Sequence, residues 1–486
     1  MISHIAVLRR RLPVWLIPVL WTLSLGIWGL PRQQSVWRDE AATWQVAQRS
    51  GAEIWHMLGK ADTVHGLYYL LMHGLFKCFG PSTTTLRLPS VLAMAVAAAC
   101  VTVIGHRLAG VWEGVGGGLT FGLLPSVQFY LQEGRPYALI AAGAGISTLL
   151  LVTVLRGRGR TMHWVAYAGT VLVCSLLNWL SLLILPAHLV TLVWTKAGRR
   201  IWTPWAVAAT AAVTASLPLI LFSRTQSHQV SWIPPLTWHM LIGPAVLLSI
   251  GALGALLDRP RVGRLSLATV ALPLLAVPQI ALIGLSVIQP LFLDRYVLFS
   301  MVGLALLIGA TSGSAVRATE QRFRKLSRLL VPAMVVVAAV AMVPQSLAKR
   351  SPASRVDDVL AIAADVRRVK TTGDAVLFIP AARRDTKLVS PDAFTGLRDI
   401  ALTESPEESG TLKGVEAGQA RIRAAILAQR RILLVTDATE VAKPVSAMRD
   451  RVKISVLKEH FTVVADKQVR GRRVTVYERL DPAQMI

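Results

Sequence analysis

Four short segments of this chain hold acids, cations and a histidine at spacings that chemistry can use. Trp37-Arg38-Asp39-Glu40 follows closely on an apolar run. A carboxylate at the edge of a membrane can take the proton from a hydroxyl as that hydroxyl attacks an electrophile. Asp39 is the expected general base, with Glu40 orienting it or a neighbour. The plainer reading of Glu40 is an acid opening a helix over residues 40–48, where the helix dipole favours negative charge. Asp62 and His65 stand three apart in the next segment and could bind a divalent metal. No His-x-x-x-His pair or Cys/His set accompanies them, and a lone histidine is more often a hydrogen-bonding group. Tyr68-Tyr69 beside them is ordinary for a membrane interface. In Gln132-Glu133-Gly134-Arg135-Pro136-Tyr137, Glu133 and Arg135 either form an exposed pair worth little or supply a second acid on the face that carries Asp39. Asp294-Arg295-Tyr296 puts an arginine at the entrance of an apolar run. There it snorkels or grips a phosphate with its planar fork.

The elements that position these groups read as membrane helices. Of 486 residues, 53% are hydrophobic and 16% charged, against about 25% charged in soluble proteins. The expected fold class is a polytopic α-helical membrane protein. Candidate spans cover residues 13–31, 88–105, 112–131, 136–155, 163–179, 181–195, 203–222, 239–257, 265–288, 296–314 and 328–345, about eleven in all. Segment 67–79 is apolar but short, which suits an interfacial helix within a first loop of about residues 32–87. Arg9-Arg10-Arg11 before the first span resembles a signal n-region, but no small-residue cleavage site follows, so a retained helix is expected. The cysteines, Cys78, Cys100 and Cys174, lack CxxC spacing and read as small buried hydrophobes.

A formal net charge of +25 would point to nucleic acid in a soluble protein. Here the basic residues gather in alternate loops, at Arg9–Arg11, His106-Arg107, Arg156/Arg158/Arg160, Lys196/Arg199/Arg200, Arg259/Arg261/Arg264 and Arg317 through Arg328. The positive-inside rule makes those loops cytoplasmic, and no nucleic-acid partner is expected. Asp39, Glu133, Arg295 and the carboxy terminus then share the external side of the cell membrane. Leaving segment 67–79 out of the spans is what keeps them together.

From about residue 351 the composition changes. Residues 357–368 and 420–431 read as amphipathic helices, and 375–379, 432–436, 461–465 and 473–478 as short strands. Ser405 to Gly410 is a loop. The expected organisation is a membrane domain over 1–350 and an external α/β domain over 351–486. No internal repeat is evident, so nothing points to an inverted-repeat transporter.

Together these segments resemble the GT-C superfamily of membrane glycosyltransferases, especially the bacterial family related to protein mannosyltransferases and aminoarabinose transferases. The matching pieces are Arg38-Asp39-Glu40-Ala41, His65-Gly66-Leu67-Tyr68-Tyr69, Leu86-Arg87-Leu88-Pro89-Ser90, Gln132-Glu133-Gly134-Arg135-Pro136-Tyr137-Ala138 and Asp294-Arg295-Tyr296, in the expected order over roughly the first 300 residues. Where many relatives carry His-Pro-Pro before the tyrosines, this chain has His65-Gly66-Leu67. The resemblance implies transfer of a sugar, mannose above all, from a polyprenyl-phosphate donor to a hydroxyl of a glycan, glycolipid or protein acceptor. It implies Asp39 as the catalytic carboxylate, with Glu40 beside it and Glu133 as the acid of the second external loop. Arg295 would lie near the donor phosphate, with Tyr296, Arg135, Tyr137, His65 and Asp62 as further substrate contacts.

The chemistry agrees with such a set. Polyprenyl phosphate leaves with its charge well stabilised, so one base, a cation for the phosphate and support for an oxocarbenium-like centre suffice. An apolar groove between spans would hold membrane lipid, and attack opposite the phosphate would invert the anomeric carbon. The rivals are a lipid-linked sugar flippase, which would want ionisable groups or broken helices at the bilayer midplane, and a scaffold whose spans only anchor the external module. Acids concentrated at span ends rather than within spans favour transfer, although Pro186, Pro218, Pro273 and Pro278 interrupt spans.

Overall fold

The computed structural model describes residues 13–30, 34–226, 232–258 and 263–480. The expected basic residues Arg9 to Arg11, Arg259 and Arg261 lie outside the described residues. The chain divides into two compact units, residues 1–30 with 87–349 and residues 31–86 with 350–486. Composition alone places a boundary at 350/351. Contacts join the first long loop to the carboxy-terminal module as well.

The first unit is helical. Among the described residues, seven helices are long and apolar enough to cross a membrane: Thr83–Leu108, Tyr137–Arg158, Arg199–Thr225, Trp238–Leu257, Leu267–Ile288, Asp294–Glu320 and Arg324–Arg350. Three shorter apolar helices, Leu16–Ile27, Thr161–Leu177 and Trp179–Trp194, fall on three further expected spans. The remaining expected span, 112–131, is broken. Helix Val111–Leu123 stops where Leu124 turns extended (ψ 131°), and Pro125 opens a short helix to Tyr130. A proline disfavours helical geometry in the residue before it. This is a multi-pass membrane protein, and several helices leave apolar faces uncovered by protein: only 11% of the apolar window of Arg324–Arg350 is buried.

Glycine sets the closest approach in this unit. Helix Val111–Leu123 packs on helix Met301–Glu320, and a methyl group on Gly309 would collide with the Glu113 carbonyl oxygen and with Gly117. Small residues let membrane helices approach in this way. Buried Glu113 pairs with Arg317 of the same neighbour, so Arg317 is half of an interhelical ion pair rather than a loop charge alone. His188 is buried too, its ring nitrogens 3.0 Å from Thr148 Oγ1 and 2.7 Å from the Tyr167 hydroxyl. Trp205 donates to that hydroxyl at 3.1 Å. Cys100 and Cys174 are buried as expected, whereas Cys78 is exposed, on helix Gly66–Phe79.

The second unit combines the first loop with a sheet. Its strands are β1 (Ala375–Ile379), β2 (Arg398–Asp399), β3 (Leu402–Glu404), β4 (Val415–Glu416), β5 (Arg431–Asp437), β6 (Phe461–Val469) and β7 (Arg472–Arg479). Five form one sheet in the order β2-β1-β5-β7-β6, and β3 pairs with β4. β1 runs parallel to β2 and β5, while β7 is antiparallel to β5 and β6. Every residue of β1 is buried because its alternating side chains enter two cores. Val376 and Phe378 meet Ile362 and Val366 of helix Val359–Val369. Ala375, Leu377 and Ile379 share a core with Ile422, Ile426, Val456 and Leu457 of helices Gln419–Leu427 and Met448–His460. A sheet covered on both faces reads as continuous apolar runs in sequence, which is why β1 and β5 stand out there.

The first loop folds as helices Arg38–Ala47, Gly51–Leu58 and Gly66–Phe79. The last has 14 residues, about 21 Å of helix at 1.5 Å per residue, short of the roughly 30 Å hydrocarbon core. Val46, Ile54, Met57, Leu58 and Tyr69 cluster, and Leu412 of the module packs against them. Arg49 donates to the Thr411 carbonyl at 2.8 Å and Lys60 to the Ser409 carbonyl at 3.1 Å.

Beneath the sheet lies a buried charge cluster. Lys453 is fully enclosed and donates to Glu416, Asp450 and the Phe378 carbonyl at 2.8–2.9 Å. Arg384 reaches Glu416 at 2.9 Å and Asp399 at 2.6 Å. Removing one partner from such a cluster strands the others, typically at a cost of about 3–5 kcal/mol. Lys453→Ala is therefore expected to lower the unfolding temperature of the full-length protein and to speed limited proteolysis within residues 350–480. A variant as stable and protease-resistant as the parent would contradict this.

Candidate functional site

Two of the four sequence segments meet inside the helical unit, although some 160 residues separate them. Gln132 through Tyr137 are all buried, with Glu133 1% and Arg135 8% exposed. That removes the reading of Glu133 and Arg135 as an exposed surface pair. Ser90, from the Arg87-Leu88-Pro89-Ser90 motif, donates its hydroxyl to the Glu133 carbonyl at 2.5 Å and approaches the Arg135 carbonyl at 3.5 Å. Gln132 donates to the Gly26 and Trp28 carbonyls at 2.7 and 2.9 Å, taking up carbonyls that the end of a helix leaves unsatisfied. The turn carrying Glu133 and Arg135 is thus fixed through its backbone carbonyls.

Arg295 sits in an aromatic box. Its guanidinium carbon is 5.8 Å from the Tyr137 ring centroid, 5.8 Å from Tyr296 and 5.6 Å from Trp232. Tyr137 and Tyr296 are 6.1 Å apart, and Tyr130 stands 6.0 Å from Tyr137. Each such contact attracts a cation by about 0.5–1 kcal/mol, and more where water is excluded. The Tyr130 hydroxyl donates to Asp294 at 3.1 Å, and the same carboxylate oxygen accepts the Arg295 backbone N–H at 2.8 Å. Aromatic faces stack on a planar guanidinium and orient it.

A cavity of about 230 Å3 opens beside this cluster within the helical unit. Met240, Leu247, Phe292, Leu298 and Met301 line it with apolar surface, and Asp294, next to Arg295 in the chain, is also in its wall. Pockets that enclose a whole small ligand are usually about 300–1,000 Å3, larger than this one.

The other candidates belong to the second unit. Asp39 and Glu40 occupy the first turn of helix Arg38–Ala47, which starts two residues before the expected position. Glu40 is buried and Asp39 partly so. The residues leading into this turn are held one by one. The Val36 carbonyl accepts the Val359 N–H at 2.7 Å, and the Trp37 ring lies 5.9 Å from the Arg355 guanidinium. Arg38 donates its backbone N–H and its Nε to the two oxygens of Asp357, each at 3.0 Å. Asp62 adopts left-handed backbone geometry (φ 54°) ahead of the short helical turn Thr63–His65. The Tyr69 hydroxyl donates to Asp62, and His65 Nε2 lies 4.0 Å from the other Asp62 oxygen. Among the described residues no group of three or more His, Cys, Asp or Glu side chains is placed to hold a metal ion, so Asp62 and His65 offer two donors, one already engaged by Tyr69.

Sequence reasoning passed over Tyr130, Trp232 and Asp357. It quoted Ser90 without giving it a task. Nothing local marks these residues, because each acts only on partners far away in sequence.

No family model matches the chain, and no curated protein sequence matches it. Solved structures do. ArnT from Cupriavidus metallidurans in the apo state is similar over 95% of this chain and 97% of its own, with a TM-score of 0.62 at 12% identity. The same protein bound to undecaprenyl phosphate matches over the same shares with a TM-score of 0.56. Arabinofuranosyltransferase AftD from mycobacteria is similar over 96% of this chain and 41% of its own, with a TM-score of 0.53 at 14% identity. This chain has the fold of the GT-C superfamily of membrane glycosyltransferases, the one to which its sequence motifs point.

Proposed function

We propose that this protein is a glycosyltransferase that moves a monosaccharide from a polyprenyl-phosphate donor to an acceptor hydroxyl at the external face of the membrane. Mannose is the first candidate sugar, by the frequency of mannosyl transfer in the family its motifs resemble, and a pentose such as arabinose is the second. The acceptor class is a glycan, glycolipid or protein. The observation that carries the reading is Arg295, boxed by Tyr137, Tyr296 and Trp232 with Asp294 in the wall of an apolar cavity. An apolar cavity beside a guanidinium is complementary to a phosphate on a long hydrocarbon tail. The ArnT structure solved with undecaprenyl phosphate supports that choice by likeness of fold.

In the proposed reaction the acceptor oxygen forms a bond to the anomeric carbon as the bond from that carbon to the phosphate oxygen breaks. The hydroxyl proton passes to Asp39, and the electron pair of the broken bond leaves with polyprenyl phosphate, whose charge Arg295 and Arg135 offset. Displacement from the opposite side inverts the anomeric centre. The phosphate is a good leaving group, so no general acid is required on that side. Glu133 is assigned to support positive charge at the anomeric centre, Glu40 to orient Asp39, and Asp62 with His65 to substrate contact. Tyr137 and Tyr296 hold Arg295 in position.

Purified full-length protein in lipid, given labelled polyprenyl-phosphate mannose or arabinose and a panel of membrane acceptors, tests this directly. Asp39→Asn keeps the shape and removes the base, and the transfer rate is expected to fall by about 10²–10⁴-fold. Transfer at near the parent rate would mean that Asp39 is not the base.

Arg295→Gln is expected to slow transfer by roughly 10–10³-fold, as loss of one preorganised charge contact does, and to weaken retention of polyprenyl phosphate in a direct binding measurement. Unchanged lipid binding would detach Arg295 from the phosphate. A protein that moves the lipid-linked sugar across vesicles without forming product would be a flippase instead.

A further inference from the structure

The residues around Asp357 and Arg472 form a second buried charge cluster, at the carboxyl ends of β1 and β5. Arg472 is wholly enclosed and donates to both oxygens of Asp385 at 2.8 and 2.7 Å and to Asp357 at 3.0 Å. Arg383 holds Asp437, at the end of β5, through two bonds of 2.6 and 2.9 Å. In open α/β sheets the crevice beyond the carboxyl ends of parallel strands is the usual place for a ligand. Here that place takes Arg38 of the first loop, whose guanidinium reaches Asp357 at 3.0 Å and Asp437 at 3.9 Å.

We propose that Asp357 is a positioning residue for the reaction: its carboxylate caps the helix that begins at Arg38 and thereby fixes the direction of Asp39, one residue further on. The proposal rests on the reading of Asp39 as the base. Trp37, the residue before this helix, has no side chain able to cap it, and the first backbone N–H groups of a helix lack partners within it. One oxygen of Asp357 satisfies the Arg38 N–H while the other takes the Arg38 side chain, both at 3.0 Å. Two bonds to one carboxylate set the rotation of the first turn as well as its place, which a single contact cannot do.

Asp357 is itself immobilised. Its side chain is fully enclosed against Arg472, and its two neighbours are tied to the turn Arg470–Gly471. Asp358 bonds Arg470 at 2.5 Å, and a methyl on Gly471 would collide with the Val356 carbonyl. Burial works against ionisation of Asp357, but Arg472 and Arg38 outweigh it and hold the carboxyl below its ordinary range, so the cap is charged at neutral pH. A carboxy-terminal module remote in sequence therefore fixes where a base from the first loop points.

Kinetics of the full-length enzyme in lipid, with polyprenyl-phosphate mannose as donor, test this with Asp357→Asn, Asp357→Glu, Arg38→Gln and the Asp357→Asn/Arg38→Gln double variant. A misplacement of the order of 1 Å costs about 10²-fold. The expected result is a 10- to 100-fold lower kcat for Asp357→Asn with donor KM within twofold of the parent, partial recovery in Asp357→Glu, and a double variant no slower than the slower single one.

Parental kcat in Asp357→Asn, or losses that multiply in the double variant, would overturn the proposal. Should Asp357→Asn fail to fold, Arg38→Gln alone decides: parental kcat there overturns it, and a selective fall in kcat supports it. Asp39→Asn run in parallel separates the two ideas. If Asp39→Asn keeps full activity, the assignment of the base fails whatever Asp357 does. If it is inactive while Asp357→Asn is normal, only the positioning role fails.

Discussion

Arg472 sits wholly enclosed at the start of β7, where a bare guanidinium would be intolerable. Asp385 and Asp357 make it stable there. Burial alone would lower the arginine's pKa, and these carboxylates raise it above its ordinary value instead. One carboxylate of that pair then has a free side, and Arg38 takes it. Joining the first loop to a module more than 300 residues away thus follows from balancing one buried charge. The apolar contacts between loop and module, such as Leu412 against Ile54 and Met57, add adhesion of about 1.5–3 kcal/mol for each fully buried side chain. Apolar contacts tolerate sliding. A carboxylate that accepts a backbone N–H and a guanidinium N–H together does not, so the ions set the register and the hydrocarbon strengthens it.

The helical unit solves a related problem with other means. Its Gln132–Tyr137 turn is pinned by a serine hydroxyl and a glutamine amide acting on carbonyls, and its arginine by aromatic faces. The nearby Asp294 is occupied by the Tyr130 hydroxyl and a backbone N–H, which keeps its carboxylate directed at its own turn.

Sequence was informative where a segment is governed by its own periodicity. β1, β5, β6 and β7, and helix Val359–Val369, lie within a few residues of the places where alternation or amphipathicity puts them. β2, β3 and β4 have two or three residues each, too few for any period. Helix Met448–His460 escaped notice because Lys453 and Asp450 face the interior and spoil its apolar stripe. Pro125 broke an expected span that hydropathy alone reads as continuous. At the sites, acids and arginines are legible as residue types, whereas the packing of Tyr137 against Arg295 is not. Asp357 stands beside Asp358, which caps the following helix. The bond of Asp357 to Arg38 spans 319 residues and leaves no local trace.

In the proposed reaction the leaving phosphate needs no proton, which would reduce the catalytic demand on the protein to one base and a well-placed cation. The economy has a structural consequence. With no second acid to share proton transfer in that scheme, error in the direction of the proposed base would not be compensated elsewhere, and rate would be sensitive to the few bonds that orient it. Asp39 lies at the start of a helix, where backbone groups are least constrained by the helix itself and fraying is easiest. Neutral hydrogen bonds contribute about 0.5–1.5 kcal/mol each, and those to charged groups about 1.5–3. An external, buried and charged cap is therefore a stronger means of suppressing that fraying than a serine or asparagine at Trp37 would be. The arrangement places the rigidity in the module, with the proposed base held through a carboxylate that the module itself keeps ionised.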